Sequence, residues 1–212
     1  MIYIIDDFLD KKLFNVINNN LGNFKKISTK DKDFWTIEPS NEFIDYMVKR
    51  LSYEENADIE NILSFFRESK QDQDNKWRIH NDSIIYNKQP NRALVFYLSD
   101  NNYKELNGTA FWKHKFYGDK FDESQSTEEF NRMLVEDAND LSKWELKSVI
   151  GHKKNRLLSY PCEYFHSKYP NEFIESRKVF VMFYKSTKWE NVTFVKKKKQ
   201  ILNFNTYIKK RV

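Results

Sequence analysis

His80 and Asp82 stand two residues apart in the stretch Trp77-Arg78-Ile79-His80-Asn81-Asp82. In an extended chain, side chains at that spacing leave the same face, so an imidazole and a carboxylate can reach one metal ion. The same pair can also form a hydrogen-bonded couple on the surface, and two ligands do not make a site. A third ligand candidate, His166, follows a strand-like stretch and a turn and is flanked by Phe165 and Ser167. Its other reading is a core or turn histidine. Two imidazoles and one carboxylate on one face of an octahedron leave three positions open, and ferrous iron uses such positions for O2 and a bidentate co-substrate. Arg177 comes eleven residues after His166. Buried beside the three, its planar fork would match the distal carboxylate of a dicarboxylate. On the surface it would be a strand-initial arginine, as Lys178 is a strand lysine. His114 and His152 fall outside this set, with His114 placed either at a substrate opening beside Trp112 or on the surface.

Bringing together residues so far apart in sequence requires a strand-rich body. Period-two alternation with aromatic and branched residues predicts strands over 76–82, 92–99, 108–113, 156–160 and 177–185. Turn chemistry at 87–91, 100–102 and 169–171 links them. Before them, residues 1–5 predict a short strand. Asp6 or Asp7 then caps a helix with Phe8, Leu9, Leu13, Phe14 and Ile17 on one stripe, closed by Gly22. A second helix is predicted over 41–53, with 54–66 extending the helical region. A polar insert at 117–147, helical around 127–138, interrupts the strands. The expectation is one domain over 1–212, mainly β with flanking helices: an N-terminal strand and helices to 75, a jelly-roll-like sandwich or barrel over 76–185, and a basic extension from 186.

Composition bounds the rest. The chain is 40% hydrophobic and carries 18 Phe, 12 Tyr and 5 Trp, which supply a core and exclude disorder despite 32% charged residues. No stretch approaches the roughly 20 apolar residues of a membrane span, and Asp6 and Asp7 cut the N-terminal apolar run too short for a secretory signal. Cys162 is the single cysteine, which excludes an internal disulfide and suits a reducing, cytoplasmic setting. From Lys185 to Val212 nine basic residues face one acidic residue, a charge of +8 against +5 for the whole, so the body carries −3. The basicity belongs to the tail. It reads either as a solvated end or as a polyanion grip through Lys196 to Lys199 near Phe194 and Phe204.

Order and spacing together resemble the 2-oxoglutarate/Fe(II) dioxygenase superfamily in its prolyl-4-hydroxylase-like branch, over about Lys76 to Tyr184. The resemblance rests on His80 and Asp82, on the apolar-aromatic run Ala93 to Ser99 followed by Asn107-Gly108-Thr109-Ala110-Phe111, and on His166 with Arg177. Within that branch, Phe111 to His114, Asp140 to Glu145 and Asn155-Arg156 look like those of small bacterial and phage-type oxygenases. The resemblance implies a double-stranded β-helix and Fe(II) held by His80, Asp82 and His166. It implies O2 as oxidant, 2-oxoglutarate salt-bridged to Arg177, ascorbate as an accessory reductant, and hydroxylation of a C–H bond with release of succinate and CO2. Asp82 fills the position a halide would need, which disfavours halogenation.

Two departures matter. The Gly-Gly turn of many prolyl hydroxylases is Asn107-Gly108 here. Where relatives place a tyrosine for the co-substrate carboxylate, this chain offers Phe96, with Tyr97 adjacent and Tyr86 nearby. Phe96 and Tyr97 have opposite parity on a strand, so one alone can point inward. Two other readings compete: a cupin-like protein using the same ligands without 2-oxoglutarate, and a non-catalytic jelly-roll module whose tail binds nucleic acid. The substrate is open, a peptide or protein or a small molecule being favoured. Trp144 with Glu128, Glu129, Glu136 and Asp137 in the insert hints at a polar or cationic partner.

Overall fold

The computed structural model describes residues 1–28, 33–70, 76–83, 85, 88–100, 106–120, 127–172 and 176–189. Ten strands and three α-helices follow one another among the described residues. They are β1 (Tyr3–Ile5), α1 (Lys11–Asn19), β2 (Lys25–Ser28), β3 (Asp33–Ile37), α2 (Asn41–Glu55), β4 (Ile59–Ser69), β5 (Arg92–Tyr97), β6 (Gly108–His114), α3 (Thr127–Glu136), β7 (Trp144–Gly151), β8 (Leu157–Pro161), β9 (His166–Tyr169) and β10 (Arg177–Ser186). The strands form a seven-stranded sheet, in the order β1-β8-β5-β10-β4-β3-β2, and a three-stranded sheet, β7-β6-β9. All pairings within the two sheets are antiparallel. The result is the expected mainly β jelly-roll core with helices packed on it.

Three apolar clusters set the layers. Phe8, Phe14, Met47, Leu51, Phe66, Phe96 and Phe180 bury the outer face of the large sheet under α1 and α2. Val95, Tyr97, Phe111, Tyr160 and Val179 fill the space between the sheets. Ile79, Trp112, Met133, Trp144 and Phe165 pack the far face of the small sheet against α3. Fully burying each such side chain contributes about 1.5–3 kcal/mol, and edge-to-face pairs such as Phe43 with Phe180, 5.0 Å apart, add about 0.5–1.5 kcal/mol.

The N-terminal third differs from its sequence reading. α1 begins at Lys11, and Asp10, not Asp6 or Asp7, caps it by accepting from the Leu13 amide at 2.9 Å. Asp6 is instead gripped by Arg156 at 2.6 and 3.0 Å, and Asp7 adopts a left-handed φ of 51°. Phe8 and Leu9 thus precede the helix. Asn155 anchors them by accepting from the Leu9 amide at 3.0 Å and donating to the Leu9 carbonyl at 2.8 Å. The helix closes at Asn20 rather than Gly22. α2 starts at its Ser40 cap and ends where Asn56 turns left-handed.

Beyond Asn56 the expected helical extension is strand β4. Its apolar residues satisfy either period, and pairing along ten residues of β10 selects the extended form. The predicted strand over 76–82 is an irregular segment with Arg78 left-handed at φ 48°, joined to β9 by a single bridge, His80 to His166. β7 and β9 are strands that sequence alternation does not reveal. The tail from 190 onward, including Lys196 to Lys199, lies outside the described residues.

Gly108 opens β6 at φ 153°, and a Cβ there would collide with the Ile150 carbonyl of β7. Gly108→Ala is expected to destabilise the fold by at least about 1–3 kcal/mol, the cost of one strained residue. Gly22→Ala, where no atom lies within 4 Å, is expected to leave the denaturation midpoint nearly unchanged. Urea unfolding followed by circular dichroism checks both.

Candidate metal centre and co-substrate pocket

The bridge between His80 and His166 is what brings the sequence-distant histidines together. The His80 amide donates to the His166 carbonyl at 3.1 Å and the His166 amide returns the bond at 2.8 Å. Asp82 is tied in by its own amide, which donates to the Cys162 carbonyl at 2.8 Å. One ligand atom from each of His80, Asp82 and His166 then lies within 4.8 Å of the others. His166 Nε2 is 3.2 Å from one Asp82 oxygen, and His80 Nε2 is 3.6 Å from the other. Asp82 and His166 are buried, whereas the His80 side chain is 47% exposed and marks the mouth of the site.

Both imidazoles are oriented from behind. His80 Nδ1 lies 2.7 Å from the Arg78 carbonyl, and His166 Nδ1 lies 3.0 Å from the Tyr164 carbonyl. A carbonyl only accepts, so each Nδ1 carries the proton and each Nε2 directs its lone pair toward Asp82. That tautomer is the one a metal-binding histidine needs. Two neutral imidazoles and one carboxylate suit a divalent first-row ion such as Fe(II).

The electrostatics fit the same purpose. Burial alone would push the Asp82 carboxyl up, but His166, His80 and Arg67 together hold it below the usual carboxylate range. Burial opposes a charged His166, yet Asp82 carries its pKa above the ordinary value. Asp82 thus favours positive charge, a proton or a metal ion alike, at His166 Nε2.

Arg177 is buried at the start of β10 in the space between the sheets. Its guanidinium stands over the Tyr97 ring at 5.1 Å, with Nη2 donating to Thr109 Oγ1 at 3.4 Å. The Tyr97 hydroxyl meets the same Thr109 oxygen at 2.8 Å. Burial pulls the guanidinium below its ordinary range, and the Tyr97 and Tyr160 phenols oppose that. Tyr160 packs its ring 4.7 Å from His166 and 5.1 Å from Phe111, and its hydroxyl is pushed far up by burial and by Asp82. Tyr160, close enough to feel both Asp82 and Arg177, thus stands between the ligand trio and the guanidinium.

Parity sorts the other candidates. Tyr97 faces Arg177. Phe96 faces the helices, 5.7 Å from Phe8 and 6.0 Å from Phe14, and so stands away from any co-substrate. Tyr86 lies outside the described residues. His114 is not on the surface but lines a cleft with Phe116, Tyr117, Glu129, Arg132 and Asp137, none of them a metal-ligand candidate. It is buried, accepts from the Phe116 and Tyr117 amides at Nδ1 and donates to Asp137 at 3.1 Å. Glu129 is bonded to Tyr117 at 2.8 Å and Trp144 is buried, whereas Glu128 and Glu136 of the insert are exposed. His152 stacks on Tyr97 at 4.6 Å, donates to the Ser99 carbonyl at 2.9 Å, and is lowered to about 4 by burial and by Arg177. The sequence reading had not singled out Thr109, Tyr160 or the orienting carbonyls. The alternation of Thr109 and Phe111 on β6 was the available signal.

Solved structures share this architecture at low identity. HygX from Streptomyces hygroscopicus, with nickel, 2-oxoglutarate and hygromycin B bound, matches with a TM-score of 0.57 at 12% identity over 88% of this chain and 83% of its own. The same protein with iron bound gives 0.52 at 12% identity over 88% and 82%. SnoK, a non-heme α-ketoglutarate-dependent carbocyclase from nogalamycin biosynthesis, gives 0.59 at 10% over 86% and 78%. The chain has the fold of the 2-oxoglutarate/Fe(II)-dependent oxygenases. No protein-family model and no curated protein matches the oxygenase-fold chain in sequence.

Because a metal competes with protons for His166, Ni(II) affinity of this oxygenase fold is expected to fall about tenfold per pH unit below the raised His166 pKa and to level off above it. His166→Ala is expected to weaken binding and flatten that dependence. Calorimetric titrations between pH 5 and pH 9 check both.

Proposed function

We propose that the protein is an Fe(II)- and 2-oxoglutarate-dependent oxygenase that hydroxylates a C–H bond of its substrate. One observation carries the reading: the two imidazoles, pinned through Nδ1 by carbonyls, converge with Asp82, and Tyr160 lies within electrostatic reach of both Asp82 and the buried Arg177. When bound, iron and 2-oxoglutarate would supply the oxidising power, with O2 consumed, one oxygen atom delivered to substrate, and succinate and CO2 released.

The chain's own residues prepare that chemistry. His80, Asp82 and His166 hold the metal from one side, which leaves the opposite side for co-substrate and O2. Arg177 receives the distal carboxylate in its fork, with the Thr109 and Tyr97 hydroxyls completing the hydrogen bonds. Tyr160 and Phe111 keep water from the ligands on the buried side. On the mouth side, His80 is the ligand a substrate meets first. Arg177 separates this reading from a cupin-like site without a dicarboxylate, because such a site gives a buried guanidinium no role.

No helix among the described residues is long and apolar enough to cross a membrane. A reducing, cytoplasmic setting fits the single, buried Cys162. The polyanion partner read from Lys196 to Lys199 falls outside the described residues, and no feature among the described ones favours the binding-module reading.

Anaerobic titration with Fe(II) and then 2-oxoglutarate is expected to give a visible charge-transfer band that is absent in His80→Ala. Arg177→Ala should still bind metal while its 2-oxoglutarate affinity falls roughly 10- to 100-fold, the worth of charge-assisted hydrogen bonds. Unchanged co-substrate affinity in Arg177→Ala would defeat the reading.

A further inference from the structure

The segment that carries His80 is held on two sides by different parts of the chain. On one side is β9, through the reciprocal bonds with His166. On the other is the stretch of the insert just after α3. The Ile79 amide donates to the Ala138 carbonyl at 2.9 Å, and the Arg78 amide donates to Asn139 Oδ1 at 2.9 Å. Ile79 is fully buried in one cluster with Met133, Trp144 and Phe165, and Trp77 packs on Trp112 at 5.5 Å.

Asn139 grips the residue of this segment whose backbone is strained. Arg78 sits at φ 48°, a left-handed conformation that a residue with a Cβ adopts only at a cost. Its carbonyl, 2.7 Å from Nδ1, is the group that orients His80. A relaxed φ at Arg78 would swing that carbonyl and release the imidazole. The stretch bearing Asn139 is itself anchored. Trp144 Nε1 donates to the Asp137 carbonyl at 2.8 Å, and His114 Nε2 donates to the Asp137 carboxylate at 3.1 Å.

The other two ligand candidates are supported differently. Asp82 is tied by its amide to the Cys162 carbonyl. The carbonyl behind His166 belongs to Tyr164, in the turn between β8 and β9, where the Tyr164 amide donates to the Pro161 carbonyl at 3.1 Å. Both therefore lean on the β8–β9 connection. His80 alone, the most exposed of the three, also leans on the insert.

We propose that Asn139 is a positioning residue for the metal ligand His80: it holds Arg78 left-handed, and Arg78 holds the imidazole ready for the ion. This rests on the oxygenase reading of the trio and adds to it a function for the insert. Without Asn139 the left-handed form of Arg78 becomes a minority state, and metal affinity falls in proportion to the fraction that keeps it.

The test is calorimetric titration of full-length protein with Ni(II), with thermal melting of the same samples. Asn139→Ala is expected to weaken Ni(II) binding roughly 5- to 30-fold, the worth of one left-handed residue. Asn139→Asp, which keeps an acceptor at the same reach, is expected to retain most of the affinity. In an Arg78→Gly background the Asn139→Ala loss is expected to shrink to about twofold or less, because glycine takes the left-handed form unaided. A merely structural Asn139 would lower the melting temperature without this coupling. Native-strength Ni(II) binding by Asn139→Ala overturns the proposal, as does an equal loss in the two backgrounds. Hydrogen exchange tests it on the native chain, whether or not the variants fold. The Arg78 amide is expected to exchange more slowly once Ni(II) is bound, since the coupling is reciprocal, and an unchanged rate overturns the proposal. Failure of the native chain to take up Ni(II) at all sinks the oxygenase reading, and this one with it.

Discussion

Taking the Asp82 carboxylate out of water costs several kcal/mol unless neighbouring groups compensate it, and much of the molecule is arranged around that demand. His166 answers it from within the sandwich and His80 from the mouth, with Arg67 contributing from β4. The same three groups, His80, Asp82 and His166, are able to hold a metal ion. A divalent ion would need no change in the backbone, because the reciprocal hydrogen bonds between His80 and His166 already fix both segments. The trio is preorganised by backbone pairing, and the carbonyls behind each ring fix which nitrogen faces inward.

Unequal sheets supply the remaining requirement, that one side of the site be dry and the other accessible. Where the small sheet lies over β5 and β8, Tyr97, Tyr160 and Phe111 are buried together, and Arg177 stands over the Tyr97 ring. Where β10 passes to β4, the cover thins and half-buried side chains begin.

A second buried charged group holds the edge of the large sheet far from this chemistry. Arg92 donates to Ser159 at 3.1 and 2.8 Å and to the Met1 carbonyl at 2.7 Å. Ser159 meets the Tyr184 hydroxyl at 2.7 Å, and Tyr184 donates to Glu55 at 2.6 Å. Ser186 and Trp189 complete the bonds to the Glu55 carboxylate. One chain of hydrogen bonds thus ties the N-terminus, the end of α2, β5, β8 and β10 together. Such networks stabilise when every member is satisfied, and this one lets the strand bearing Arg177 be anchored at its opposite end.

Much of the site was legible because ligand chemistry depends on residue type: few side chains can bind a divalent ion, and His80, Asp82 and His166 are of those types at a telling spacing. The strands 92–97, 108–114, 157–161 and 177–186 were legible from alternation, since each carries its own two-faced pattern. β4 was not, because its run of apolar residues suits a helix as well as a strand until β10 lies beside it. The segment bearing His80 was not a strand at all, yet its one bridge to β9 did what a strand had been expected to do. Parity showed that Phe96 and Tyr97 must face opposite ways, but not which of them faces Arg177. Sequence by itself thus determined the candidate donor set, the candidate basic anchor and five of the ten described strands, all of which follow from residue type and local period. Only the tertiary structure decided that Tyr97 and Thr109 are the hydroxyls beside Arg177, because that fact depends on register between strands far apart in the chain.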